Sequence, residues 1–211
     1  MTWRGPTLLA LLLVVGVGGG FLASVLSAGQ PAASGVPTPV VALSPSYPVD
    51  PEPELADDPD VAPLPVDLPM TTGRVGTRAF RHVVPVPEGW EATPSNANET
   101  KWRDPDNPPS WTYVLRVEQV GSDNLTVQRM IETRISDLDR DEEDFAPLAQ
   151  TSDSLTFSYV SDGHLRIGVI RWVRPSGGPF AEVEVAATGR AVDRAGLEAL
   201  VADVSAGVRR G

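Results

Sequence analysis

Residues 155–173 read LTFSYVSDGHLRIGVIRWV and carry a clear pattern of β-strand residues. In its first half large apolar side chains alternate with small polar ones, which is the period of a half-buried strand. Ser161, Asp162 and Gly163 then supply the residue types of a tight turn. The residues after the turn, 164–174, are again rich in β-branched and aromatic side chains. The stretch therefore predicts an antiparallel β-hairpin.

The segments around this hairpin extend the sheet and cover it. Alternating or β-branched runs predict further strands at residues 80–86, 100–103, 112–120 and 180–188. Apolar residues at helical spacing predict a helix over about residues 125–140, capped by Asp123 or Asn124, and a second helix after Asp193. The two apolar stripes are Val127, Met130, Ile131, Ile135 and Leu138, and Leu197, Leu200, Val201, Val204 and Val208. The order β–β–β–α–β–β–β–α predicts an α+β domain with an antiparallel sheet of about six strands and covering helices.

The N-terminal segment, residues 1–28, predicts a membrane anchor. No charged residue lies between Thr7 and Ala28, and about 20 apolar residues in a helix span the roughly 30 Å hydrocarbon core of a bilayer. Arg4 precedes the run and the next basic residue is Arg74, so the positive-inside rule places the rest of the chain outside. We expect a single-pass protein in contact with the lipid bilayer through residues 7–28. A cleaved signal peptide, which gives a secreted protein, is the alternative.

The next segment, residues 29–73, is predicted to be a disordered linker. It holds eleven prolines and seven acidic residues and has no basic residue. Such a composition buries too little apolar surface to offset the entropy of ordering the chain. We therefore expect the folded extracytoplasmic domain to comprise residues 74–211.

The composition excludes several classes of function. The formal net charge is −11 at pH 7 and Lys101 is the only lysine, so a nucleic-acid partner is not expected. The chain has no cysteine, which excludes disulfides, thiolate catalysis and cysteine-ligated metals. The sequence contains no nucleophile elbow, phosphate-binding loop or dinucleotide fingerprint. We predict that the protein is not an enzyme and has no cofactor.

Two groups of residues resemble metal sites in part, but neither has the full set of ligands. Asp137, Asp139 and Asp141 match positions 1, 3 and 5 of an EF-hand loop, but Glu142 replaces the required glycine and Leu148 the bidentate carboxylate. A solvated helix end followed by a loop is the preferred interpretation. His82 and His164 lie far apart on predicted strands, with no ligand spacing between them.

Two tryptophans form the one candidate partner site. Trp102 and Trp111 flank a proline- and aspartate-rich loop at residues 104–109. Burial as core or sheet residues is the default interpretation, and an exposed aromatic patch for a partner or a glycan is the alternative.

A family resemblance accompanies these patterns. Val86-Pro87-Glu88-Gly89-Trp90 follows the first strand, and Trp102-Arg103-Asp104-Pro105 precedes the next strand and helix. Residues 78–209 thereby resemble PsbP-like domains of bacterial membrane-anchored proteins and lipoproteins. The resemblance implies an antiparallel sheet between helices, used for protein association and without catalytic residues. We therefore expect association with another envelope protein, with binding of a small apolar ligand as the alternative.

Overall fold

The computed structural model describes residues 55–78, 80–106 and 113–211. Their strands form two antiparallel sheets, one of seven strands in the order β3-β4-β5-β9-β8-β7-β6 and one of three in the order β1-β2-β10. The strands are β1 (Met70–Val75), β2 (His82–Pro87), β3 (Glu91–Pro94), β4 (Glu99–Arg103), β5 (Val114–Gln119), β6 (Glu143–Gln150), β7 (Ser154–Ser161), β8 (His164–Val173), β9 (Val183–Arg190) and β10 (Arg209–Arg210). The helices are α1 (Val127–Asp141) and α2 (Arg194–Ala206). The α+β class is confirmed, but the strands form two sheets, of seven and three strands, where one sheet of about six strands was expected.

The hairpin predicted from residues 155–173 is confirmed. β7 pairs with β8 along its whole length, from Ser154 opposite Arg171 to Ser161 opposite His164. Asp162 and Gly163 connect the strands with φ of 51° and 77°. Positive φ at both central residues is the geometry of a type I′ turn, which matches the twist of the strands that it joins.

The two helices cover opposite faces of the larger sheet. Val183, Val185 and Ala187 of β9 pack in one buried cluster with the apolar side of α2. Ala186, between them on the strand, packs in the other cluster with α1. Successive side chains of a strand point to opposite faces, so the sheet lies between the helices. The predicted apolar stripe of α1 is confirmed, although the N-cap is Thr126 and not Asp123 or Asn124.

The predicted linker boundary at residue 73 is wrong. β1 pairs with β2 over six residues, and Leu64 is 3% exposed in the core. The folded domain therefore includes residues 55–73. We call residues 55–69, which precede β1, the strap.

Two side chains between the end of β9 and the beginning of α2 hold the strap in place. Arg190 donates to the carbonyl oxygens of Pro59, Val61 and Ala62 at 3.2, 2.9 and 2.9 Å. Asp193 is fully buried, forms an ion pair with Arg190 and accepts a hydrogen bond from the backbone N–H of Leu64 at 2.9 Å. These partners satisfy strap backbone groups that a short polar stretch of chain would otherwise leave to water.

A second contact explains why the strap lies so close to α2. A Cβ atom added at Gly196 would lie 2.2 Å from the carbonyl oxygen of Leu64. Only glycine therefore fits between this turn of the helix and the strap backbone.

The membrane anchor and the first part of the linker, residues 1–54, lie outside the described residues. Within residues 55–78, 80–106 and 113–211, no helix is long and apolar enough to cross a membrane.

Candidate functional site

A crevice opens where the ends of the two sheets meet. Its volume is about 520 Å³, within the range of small-molecule sites, and polar side chains line it together with the phenyl ring of Phe80. β2, β5 and β10, the loop between β1 and β2, and the residue that precedes β9 all contribute to it. We call this feature the crevice; its main lining residues are Phe80, His82, Asn98, Gln119, Glu182 and Arg210.

A buried histidine forms part of the crevice wall. His82 is 8% exposed, and its Nδ1 lies 2.6 Å from the side-chain nitrogen of Gln119. An amide nitrogen only donates, so Nδ1 accepts and the proton of the neutral ring lies on Nε2. Nε2 is buried and has no hydrogen-bond partner among the described residues. A residue of the crevice lining therefore carries a buried, unsatisfied N–H donor, which is rare in folded proteins.

The surroundings of His82 keep its ring neutral. Burial lowers the pKa of His82, the nearby Glu182 carboxylate opposes this effect, and Arg210 adds to it. Desolvation outweighs the carboxylate because charging the ring requires water that the site excludes. His82 is therefore a hydrogen-bond donor at neutral pH and carries no charge.

The other wall of the crevice carries an ion pair. Arg210 Nη2 donates to Glu182 Oε2 at 2.8 Å, and the backbone N–H of Ser176 donates to Glu182 Oε1 at 3.0 Å. Burial acts to raise the pKa of Glu182, but the bonds from Ser176 and Arg210 outweigh it and lower that pKa. Both oxygens of the carboxylate are thus occupied in the ionised form.

The rim of the crevice is aromatic. Phe80 is 76% exposed, more than any other large apolar residue in the described part of the chain. The side chain of Gln119 donates to its carbonyl oxygen at 2.8 Å and so fixes the loop to β5. Gly76 makes this contact sterically possible, since it has φ of 95° and an added Cβ would lie 2.3 Å from that carbonyl. An exposed phenyl ring beside the crevice offers apolar surface that a ligand could contact.

A second polar cluster is fully occupied by its own members. Glu184 is 0% exposed and accepts two bonds of 2.8 Å from Arg134 and one of 2.9 Å from the Trp172 indole. Arg116 also bonds to Glu184, and it reaches Glu99 at 3.1 Å and Glu118 at 2.6 Å. This cluster cross-links α1 to the sheet and leaves Glu184 no free lone pair for a ligand.

The predicted aromatic patch is not formed as expected. Trp102 is 3% exposed and packs in the sheet core against Val86 and Gly73. Its side chain alternates onto the buried face of β4, whereas Lys101 and Arg103 point to the other face. Trp111 lies outside the described residues. Trp102 therefore serves as a core residue and has no ring face free for a partner.

The acidic run and the second histidine also have defined places. Residues 137–141 are the last turns of α1, where Arg140 pairs with Asp137 and Asp141. The loop expected after this helix is instead strand β6. Within the part of the chain that the structure describes, no cluster of three or more acidic or histidine side chains is arranged to hold a metal ion. His164 begins β8 in the larger sheet, whereas His82 belongs to the smaller one.

The comparisons with known proteins leave the family open. No family model matches the sequence, and no curated protein matches it. The chain is similar to the crystal structure of LpqN, involved in cell envelope biogenesis of Mycobacterium tuberculosis, at 13% identity and a TM-score of 0.38. The match covers 67% of this chain and 91% of LpqN. The resemblance to PsbP-like domains stays a prediction.

Proposed function

We propose that this protein is an extracytoplasmic binding domain, held at the cell membrane by its N-terminal segment, with the crevice as its binding site. The observation that supports the proposal most directly is that His82, in the lining of a crevice of about 520 Å³, has a buried Nε2 without a hydrogen-bond partner among the described residues. Crevices of this size with a few polar groups that point inward are the usual form of a small-ligand site. The ligand is a small, mainly apolar molecule.

Binding without chemistry is the better interpretation of the lining. His82 is hydrogen-bonded to an uncharged amide, and Glu182 is held by Arg210 and Ser176. A general base needs a free acceptor beside a nucleophile, and neither group supplies one. The lining side chains are suited to orienting a ligand.

The binding site can be tested with one variant and one control. We expect Phe80→Ala to weaken the binding of a fluorescent apolar probe several-fold, because it removes the exposed ring at the rim. Val192→Ala is the matched control, since Val192 is 59% exposed and is not part of the crevice lining. Probe binding that is equal in both variants and the wild type would contradict the proposal.

The proposed location has its own test. The uncharged run at residues 7–28 behind Arg4 supports a membrane anchor with the C-terminus outside. A C-terminal reporter that is active only outside the cytoplasm is expected to work. A mature chain that begins near Gly29 in the medium would favour the secreted form instead.

Association with another envelope protein is the second candidate. The 76% exposure of Phe80 favours it, because exposed aromatic rings are common anchors of protein interfaces. A cross-linkable residue at position 80 that captures one protein, and the absence of any bound small molecule, would support association over ligand binding.

A further inference from the structure

The crevice has a hydrogen-bond donor that the fold does not use. The proton of His82 lies on Nε2 because Gln119 donates to Nδ1, and Nε2 has no partner among the described residues. A buried donor without an acceptor costs free energy, and a ligand that supplies the acceptor recovers it. The missing group is therefore an acceptor oxygen.

The charge balance of the lining specifies what kind of oxygen. Glu182 and Arg210 are the charged residues among the described lining, and they neutralise each other at 2.8 Å. A ligand carboxylate would enter without an unpaired cation to offset its desolvation, and would lie near the Glu182 carboxylate. An uncharged carbonyl oxygen accepts the same hydrogen bond without that cost.

The apolar part of the lining specifies the rest of the ligand. Phe80 offers its ring at the rim, and the carbon atoms of the polar lining side chains add further apolar surface. An alkyl chain buries apolar surface against both.

We propose, resting on the function proposed above, that the crevice selects neutral acyl compounds, in which an apolar chain carries an ester carbonyl, and that His82 Nε2–H is the donor to this carbonyl. Phe80 contacts the chain, and Gln119 is a positioning residue that fixes the tautomer of His82. Nε2 is buried in the free protein, so the carbonyl reaches it through one water molecule or after a small movement of the Phe80 side chain at the rim.

The test compares two ligands that differ only in the acceptor group. The full chain in lipid nanodiscs is titrated with methyl octanoate and with octanoate, and binding is followed by the backbone amide signals of Gly121 and Ser122, which line the crevice. For each protein we take the ratio of the Kd of octanoate to the Kd of methyl octanoate. We expect this ratio to be about tenfold larger in the wild type than in His82→Phe. The ratio between the two proteins cancels the partition of each ligand into the lipid.

The imidazole signals give an independent measurement. The chain has two histidines, so labelling histidine with ¹⁵N gives two imidazole groups. We expect the ester to shift the Nε2 signal of His82 and to leave His164 unchanged. If His82→Phe does not fold, Gln119→Leu replaces it: the ring then loses its fixed tautomer, and the preference for the ester is expected to fall.

The outcomes separate the two proposals. If neither ligand shifts any crevice signal in the wild type, both the ligand-binding function and the inference are wrong. If octanoate binds as tightly as the ester, or if His82→Phe keeps the full preference, the crevice binds ligands but the ester selectivity is wrong. A preference that disappears in His82→Phe and survives in Phe80→Ala supports the inference.

Discussion

At the scale of single residues, His82 links the site to pH. Burial lowers its pKa in the folded protein below the value of about 6.5 of an exposed histidine. As the pH falls, the unfolded chain takes up the proton first, so the stabilisation by neutral His82 is complete above about pH 6.5 and is lost as the pH falls towards the lowered pKa. We expect the melting temperature of the wild type to fall more between pH 8 and pH 5 than that of His82→Phe.

An NMR titration of the ¹⁵N-labelled histidines measures the same property directly. The group that shifts with Gln119→Leu is assigned to His82, and it should titrate below pH 6.5. A midpoint at or above that value would contradict the lowering of the pKa of His82 by burial.

We expect Glu184 to contribute more to the free energy of unfolding than any other residue for which we make a prediction. Glu184→Gln removes the charge that faces Arg116, Arg134 and the Trp172 indole, and leaves the guanidinium groups half-buried without their shared partner. We expect the free energy of unfolding in urea to fall by about 3–5 kcal/mol. Glu198→Gln is the control: it makes the same change in an exposed pair with Arg194, where the loss is at most about 0.5 kcal/mol. Equal losses in the two variants would show that the buried cluster does not stabilise the fold.

At the scale of elements, the strap depends on one glycine. Gly196→Ala places a Cβ where the Leu64 carbonyl lies 2.2 Å away, so the strap has to move although alanine favours the helix. We expect the Leu64 amide to exchange with solvent at least about tenfold faster, because its bond to Asp193 is lost. Hydrogen exchange followed by mass spectrometry measures this.

The control is a glycine without a close neighbour. An added Cβ at Gly178 meets its nearest atom, Ser176 Oγ, at 3.4 Å, so Gly178→Ala should leave exchange at Leu64 unchanged. An unchanged rate in Gly196→Ala as well would mean that the strap does not depend on this contact.

The sequence predicts those elements in which one face is buried and the other exposed, because apolar residues then recur at the period of the element. The alternating apolar residues of β7 and the apolar stripe of α1 each form one buried face, so the sequence shows the period of each element. β6 was missed because most of its residues are exposed and two register shifts interrupt its pairing with β7. β1 was missed because its sequence, MTTGRV, has a buried residue only at Val75. These segments are strands because they pair with neighbouring strands, and such pairing leaves no pattern in the local sequence.

The crevice was beyond sequence reasoning for a related reason. His82 was considered only as a metal ligand, and Gln119, Glu182 and Arg210 carried no motif at all. Gln119 is 37 positions from His82, and Glu182 is 28 from Arg210. The packing of the two sheets brings them together, and no spacing rule connects residues of separate sheets.

At the scale of the whole molecule, the strap changes where the domain begins. We expect a chain that starts at Arg74 to lack a cooperative melting transition, because it loses Leu64 and the first four residues of β1, from Met70 to Gly73. Arg190 and Asp193 would also lose their backbone partners. Near-UV circular dichroism against temperature measures the transition.

A chain that starts at Gly29 is the matched control and should melt cooperatively. Limited proteolysis of the full chain should leave a resistant core that begins near Leu55. Cooperative melting of the Arg74 chain with an unchanged midpoint would show that the strap is an accessory to the fold.

The strap also decides how the domain responds to being pulled. If the chain is held at its N-terminal side, tension enters through residues 55–64 before it reaches either sheet. The bond between Ala56 and the Gly163 carbonyl carries the load first, and the Arg190 clamp follows. These contacts lie one after another along the chain, so they peel in turn and do not share the load. Detaching ten residues lengthens the tether by about 30 Å. The strap therefore detaches before any strand of the seven-stranded sheet is pulled from its neighbours.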